Sequence, residues 1–183
     1  SLHALVNPGE EVIVIAPFFP EYRVWIENAG AVCREVLADQ ETFQIDVAAV
    51  RDAITPNTAA VIIDSPNNPT GCVLASASLD AVVNVARAHG IYVVCDDVYN
   101  RLVYEPGYER LAARVDKDLR EQVVVVESFS KPWAMTGWRM GWVAAAHPVI
   151  DQIAKAHQFT VSSAVSFCMP AAVRALELDP SHQ

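Results

Sequence analysis

Apolar residues in this chain gather in short continuous runs. Val12-Ile13-Val14-Ile15, Ala59-Ala60-Val61-Ile62-Ile63, Tyr92-Val93-Val94-Cys95 and Val123-Val124-Val125-Val126 carry no polar alternation. That is the pattern of strands buried on both faces. It predicts strands over residues 11–16, 58–64, 91–95 and 122–127, with a weaker one over 31–36. Trp138, Met140 and Trp142 alternate with Arg139, Gly141 and Val143, which predicts a sixth strand over 137–146. The intervening stretches have helical period. Tyr22, Trp25 and Ile26 follow Pro20 and stop at Gly30, and Val47, Val50 and Ile54 follow Asp46 as a cap. Leu79, Val82, Val83 and Ala86 follow Ser76 or Ser78 as caps and end at Gly90. Val149, Ile150 and Ile153 follow Pro148, and a last helical stretch covers 166–178. Residues 1–6 read as the end of a helix closed by Asn7-Pro8-Gly9. Strands separated by helices predict an α/β fold in three layers: a mostly parallel sheet with helices on both faces.

Ligands of such sheets bind outside the carboxyl ends of the strands. Here those ends are polar. Asn67 and Asn68 follow the third strand in a segment dense in turn residues, Ser65-Pro66-Asn67-Asn68-Pro69-Thr70-Gly71. Asp96 and Tyr99 follow the fourth. Ser128, Ser130 and Lys131 follow the fifth, with Arg139 eight residues beyond the lysine. Pro132-Trp133-Ala134-Met135 after Lys131 predicts a partly buried setting, which makes an amine a usable nucleophile. Arginine offers a planar fork suited to phosphate. Asp96 reads equally as a helix cap or as the carboxylate partner of a pyridine nitrogen. Asp97 reads as first-turn helix charge. One helical turn would set Tyr99 beside Asp96. Asn68 is a turn residue or an amide donor, and Phe19, after the first strand, packs a core or stacks on a flat ring.

Composition narrows the choices. With 183 residues, 52% of them hydrophobic, the chain can form one domain with a substantial core. A net charge of −9 argues against a nucleic-acid partner. No apolar run reaches the length of a membrane span. Cys33, Cys72, Cys95 and Cys168 match no metal motif, and the five histidines are scattered, so no metal is expected. Cys33 and Cys95 lie in apolar runs and read as buried, reduced thiols of a cytoplasmic protein. The two ends, without an initiator methionine, predict a fragment.

Ser65 to Gly71, Asp96-Asp97-Val98-Tyr99, and Ser128-Phe129-Ser130-Lys131 through Trp138-Arg139-Met140-Gly141 resemble the class I/II aminotransferases of pyridoxal-phosphate fold type I, motif by motif and interval by interval. The resemblance covers essentially the whole chain. It implies pyridoxal 5'-phosphate held covalently by Lys131, which also shuttles the proton. It implies a phosphate held by Arg139, Ser128 and Ser130, a pyridine nitrogen paired with Asp96, a ring hydroxyl contacted by Tyr99 and Asn68, and Phe19 at the ring-stacking position. It further implies cis bonds at Asn68-Pro69 and Ala16-Pro17, amino-acid and keto-acid substrates, and a homodimer of the full-length protein. On this resemblance, residues 1–183 form part of the cofactor-binding large domain, without its preceding segment and without the carboxyl-terminal small domain that holds the substrate carboxylate. A carbon–sulfur lyase acting by β-elimination, and a non-catalytic regulatory domain of the same fold, are the alternatives.

Overall fold

The computed structural model describes residues 1–104 and 106–178. Its centre is a six-stranded sheet. The strands are β1 (Glu11–Ala16), β2 (Val32–Leu37), β3 (Thr58–Asp64), β4 (Tyr92–Asp96), β5 (Val123–Ser128) and β6 (Gly141–Ala144), in the order β2-β1-β3-β4-β5-β6. Every neighbouring pair is parallel except β5 with β6. The helices are α1 (Leu2–Leu5), α2 (Glu21–Asn28), α3 (Val47–Ala53), α4 (Ser76–His89), α5 (His147–Thr160) and α6 (Met169–Glu177).

Period-two alternation divides each apolar run between two cores. Ile13, Val61, Val93 and Val123 face α3 and α4, meeting Val50, Leu79, Val82 and Ala86. Val12, Val14, Ile62, Val94 and Val124 face α1, α2 and α5, meeting Leu5, Ile26, Val149 and Ile153. Strands covered on both sides need apolar residues at successive positions, which is why these runs lack alternation. Each fully buried valine or isoleucine contributes roughly 1.5–3 kcal/mol. A third cluster, Phe129, Met140, Cys168, Ala172 and Ala175, seats α6 beneath the segment after β5.

The expected three-layer α/β architecture is present, with local differences. α4 takes no serine cap. Its N-cap is Ala75, whose N–H donates to the Gln44 side chain at 2.8 Å, and Ser78 Oγ donates to the same oxygen at 3.0 Å. An acceptor delivered from the distant segment at Gln44 thus satisfies the helix start. The sixth strand is far shorter than 137–146. Thr136–Trp138 is a 3-10 turn and Arg139 is left-handed at φ +52°, so pairing begins only at Gly141. A Cβ on Gly141 would lie 2.5 Å from the Glu127 carbonyl oxygen, so this crossing requires glycine. Cys95 and Cys168 are buried, but Cys33 is only half-buried because β2 is an edge strand. Among the described residues no helix is long and apolar enough to cross a membrane, and no cluster could hold a metal ion.

Candidate functional site

The carboxyl ends of β1, β3, β4 and β5 open into a cleft of about 600 Å³. Phe19, Asn68, Asp96, Tyr99, Ser128, Ser130, Lys131 and Arg139 all line it. Four separate segments deliver these side chains, and the parallel sheet brings their ends together.

The acidic end is built by β3 and β4. Asp64 and Asp96 are the last residues of these strands and pair in register. The Asp64 carboxylate accepts Asn67 Nδ2 at 2.8 Å and the Asn68 N–H at 3.0 Å, which fixes the turn carrying Asn68. Asn67 Oδ1 in turn accepts from Thr70 N–H and Oγ1. Ala16-Pro17 and Asn68-Pro69 are cis as expected, and Ser65-Pro66 is cis as well. Asp96 accepts the Tyr22 hydroxyl at 2.6 Å and the Val98 N–H at 3.3 Å. Burial pushes the Asp64 carboxyl up to about 6 and raises Asp96 above the usual carboxylate range, the latter opposed by the Tyr22 hydrogen bond. Burial, with Asp96 and Asp64 nearby, drives the Tyr22 phenol far above its ordinary value, so Tyr22 stays a donor. Phe19 meets Tyr22 and Trp25 edge-on, with ring centroids 5.7 and 6.0 Å apart.

The cationic end is built by the segment after β5. Ser130 N–H donates to Ser128 Oγ at 3.0 Å, and Ser128 Oγ donates to the Met140 carbonyl at 3.2 Å. Thr136 Oγ1 donates to the Ser130 carbonyl, and Arg139 Nη1 donates to the Thr136 carbonyl at 2.9 Å. These bonds close a compact loop with Lys131 at its tip. Trp133 braces the loop: its Nε1–H donates to Ala175 of α6 at 3.0 Å, and the Arg101 guanidinium lies 4.6 Å from its ring centre. Lys131 Nζ sits 5.8 Å from the Tyr99 ring centre.

Three expectations need correction. Lys131 is exposed at the cleft, not partly buried; Pro132 is buried and Trp133 half-buried, so the apolar residues after the lysine anchor the loop and leave the amine outside. Asp96 caps no helix. It ends β4, and residues 98–101 form turns, so Tyr99 reaches the cleft without a helical turn. Asp97 is not exposed helix charge. It is 5% exposed and faces the opposite side of the sheet, paired with Arg110. Sequence reasoning also missed Tyr22 and Asp64. Asp64 ends a buried apolar run just as Asp96 does, a signal open to reading. Tyr22 reads only as part of a helix face, and the packing of α2 on the sheet brings its hydroxyl to Asp96.

Known proteins match both the sequence and this arrangement. The family model for aminotransferase class I and II matches residues 2–183. The aspartate/prephenate aminotransferase of Thermus thermophilus is 37% identical over 174 residues, covering 94% of this chain and 44% of its own length. The structure of aspartate aminotransferase from Thermotoga maritima superposes with a TM-score of 0.94 at 33% identity, covering 99% of this chain and 48% of its own. That of N-succinyldiaminopimelate aminotransferase from Mycobacterium tuberculosis gives 0.90 at 34%, covering 96% and 46%. The chain therefore spans about half the length of the relatives it matches. With the match running through the whole sheet and every strand end that lines the cleft, the chain belongs to the aminotransferase class I and II family.

Proposed function

We propose that the cleft is the pyridoxal 5'-phosphate site of an aminotransferase, and that the full-length protein moves an amino group between an amino acid and a 2-keto acid as a homodimer. The observation that supports this reading is the separation of charge between the strand ends that line the cleft. The partly buried carboxylate of Asp96 comes from the end of β4, whereas two hydroxyls, an amine and an arginine, Ser128, Ser130, Lys131 and Arg139, come from the end of β5 and the segment after it. A flat ring with a cationic nitrogen at one side and a phosphate at the other fits that polarity.

In this reading Arg139, Ser128 and Ser130 bind the phosphate. Asp96 pairs with the ring nitrogen, and Tyr22, by donating to Asp96, favours its ionised form. Tyr99 and Asn68 donate to the ring oxygen, Asn68 being oriented by the bond from its N–H to Asp64. Phe19 covers a ring face. When bound, the cofactor supplies the electron sink that makes the substrate's α-proton removable. Lys131 would hold the cofactor through Nζ and, as a free amine, would carry that proton as the general base.

The test is amino-group exchange by the full-length protein. Incubation with pyridoxal phosphate, an amino acid and a keto acid yields the exchanged pair. Release of ammonia and pyruvate instead would establish the β-eliminating lyase, and no turnover despite bound cofactor would establish a regulatory domain. Dicarboxylic and aromatic amino acids are the first substrates to screen, since the similar proteins include aspartate and aspartate/prephenate aminotransferases.

Tyr22→Phe probes the acidic end. Loss of the 2.6 Å bond raises the proton affinity of Asp96 further, so the acid limb of cofactor binding moves to higher pH. Affinity near neutrality falls roughly tenfold, the size of one hydrogen bond to a charged group. A cofactor titration across pH measures both, and an unmoved acid limb would rule the role out.

A further inference from the structure

We propose that Arg110 is a positioning residue: from the far face of the sheet it ties the end of β4 to the end of β5, and so sets the spacing between Asp96 and Ser128. The inference rests on the cofactor reading of the cleft.

Side chains alternate across a strand. Asp97 follows Asp96, and Glu127 precedes Ser128, so both acid side chains turn toward the side of the sheet that carries Val93, Cys95 and Val123, while Glu127 also borders the cleft. Their side chains are 6% and 4% exposed. Two buried carboxylates on neighbouring strands repel each other and carry a large desolvation cost unless a cation joins them. Arg110 is that cation. Its Nη2 pairs with Glu127, and its Nε lies 3.1 Å from Asp97 Oδ2. Nε and Oδ2 are poorly aligned for a directed hydrogen bond, so this second contact acts through charge. Leu111, 3% exposed in the core, anchors the arginine's backbone, and the Tyr108 hydroxyl donates to the Ser65 carbonyl at 2.8 Å, fastening the same segment to the end of β3.

The clamp sits where the sheet has little else. Beyond the last β4–β5 register pair, Asp96 with Val126, the Asp97 N–H donates to the Val126 carbonyl at 2.9 Å. Asp96 and Ser128 project from these same ends into the cleft, at opposite poles of the proposed cofactor. A displacement of about 1 Å between such groups can cost as much as a hundredfold. Among the described residues, the ionisable groups that act on Asp97 besides Arg110 are Cys95 on β4, Tyr108 on the preceding loop and Asp96 across the sheet; none of these is cationic.

The experiment titrates the full-length protein with pyridoxal phosphate by visible absorbance, at about pH 6 and about pH 8.5, in Arg110→Met and in Arg110→Met/Glu127→Gln. Relative to the unsubstituted protein, Arg110→Met binds roughly tenfold more weakly at the higher pH and approaches it at the lower pH, because the Asp97 carboxyl, which burial pushes up to about 6 even with Arg110 beside it, takes up a proton there and the repulsion falls. The double variant recovers most of the loss, because the Glu127→Gln change removes one of the two charges. A residue serving stability alone would lower the thermal midpoint of both variants without a pH-dependent change in affinity. Should Arg110→Met be insoluble, Arg110→Lys carries the same test: a point charge cannot span both carboxylates, and a smaller pH-dependent loss is expected. Unchanged affinity in the variants, with cofactor bound normally by the unsubstituted protein, overturns the inference alone. Failure of the unsubstituted protein to bind overturns the functional reading and the inference with it.

Discussion

Replacing Lys131 with alanine in the full-length protein abolishes the visible absorbance that pyridoxal phosphate gives on covalent attachment, and lowers turnover by roughly 10⁴-fold or more. Lys131 is the amine of the cleft, at the tip of a loop closed by the Thr136–Ser130 and Arg139–Thr136 hydrogen bonds. Its removal takes away both the attachment point and the group that moves the proton. The loop itself survives, since Trp133 and Phe129, not Lys131, pack it against α6. Thermal stability without cofactor therefore stays close to that of the unsubstituted protein, which separates loss of chemistry from loss of fold. Lys131→Arg keeps the positive charge, so it retains noncovalent cofactor binding better than alanine while showing the same loss of absorbance and turnover. A Lys131→Ala variant that keeps its absorbance would eliminate the lysine from the site.

Asp96→Asn lowers turnover by roughly 10²- to 10⁴-fold, because a neutral amide no longer holds the ring nitrogen protonated. The same substitution raises the stability of the cofactor-free protein. Burial already shifts the Asp96 carboxyl upward, so near neutrality the fold bears a charged group it disfavours, beside Asp64, its register partner. The sign follows from linkage: an acid whose proton affinity is higher folded than unfolded makes stability fall as pH rises, and a neutral isostere removes that loss. Asparagine still accepts the Tyr22 hydroxyl. An increase of about 2–4 °C in the thermal midpoint without cofactor, together with the fall in turnover, is the expected pair of results. Lower stability without cofactor and unchanged turnover would mean that Asp96 is a structural residue and not part of the chemistry. Both outcomes come from one preparation, by thermal denaturation and by the exchange assay.

Such opposing effects on stability and chemistry mark a site built at some cost to the fold. Asp64, Asp96 and Asp97 crowd three carboxyl groups around two adjacent strand ends, and burial raises all three. The fold tolerates them through specific partners: Asn67 and Asn68 donate to Asp64, Tyr22 donates to Asp96, and the charge of the Arg110 guanidinium offsets Asp97.

Much of this is legible in the order of the residues. Continuous apolar runs mark the buried parallel strands, and the positions where those runs stop mark where Asn68, Asp96 and Ser128 emerge. The helix boundary at Gly90 is equally plain, since its left-handed φ of +67° suits glycine. The alternation of Trp138, Met140 and Trp142 misleads, because period two records which face a residue takes and says nothing of whether a ladder partner is present; the left-handed turn at Arg139 delays pairing to Gly141. Apolar residues after Lys131 suggest a buried amine, yet those residues bury themselves and leave the amine outside.

By itself the sequence determined the layered fold, the edge of the sheet where chemistry gathers, and the residue types that meet there, because burial period and turn chemistry are local properties of the chain. Only the tertiary structure decided which partners adjust those residues. Tyr22 is far from Asp96 in sequence, and Arg110 is separated from Asp97 by a polar loop. Their contacts depend on how α2 and that loop pack on opposite faces of the sheet, and a hydrogen bond or an ion pair leaves no periodic signal. The lysine that carries the proposed chemistry and the carboxylate of Asp96 were visible in the chain; the crowding of Asp64, Asp96 and Asp97, and the partners that hold them, became visible only once the strands stood side by side.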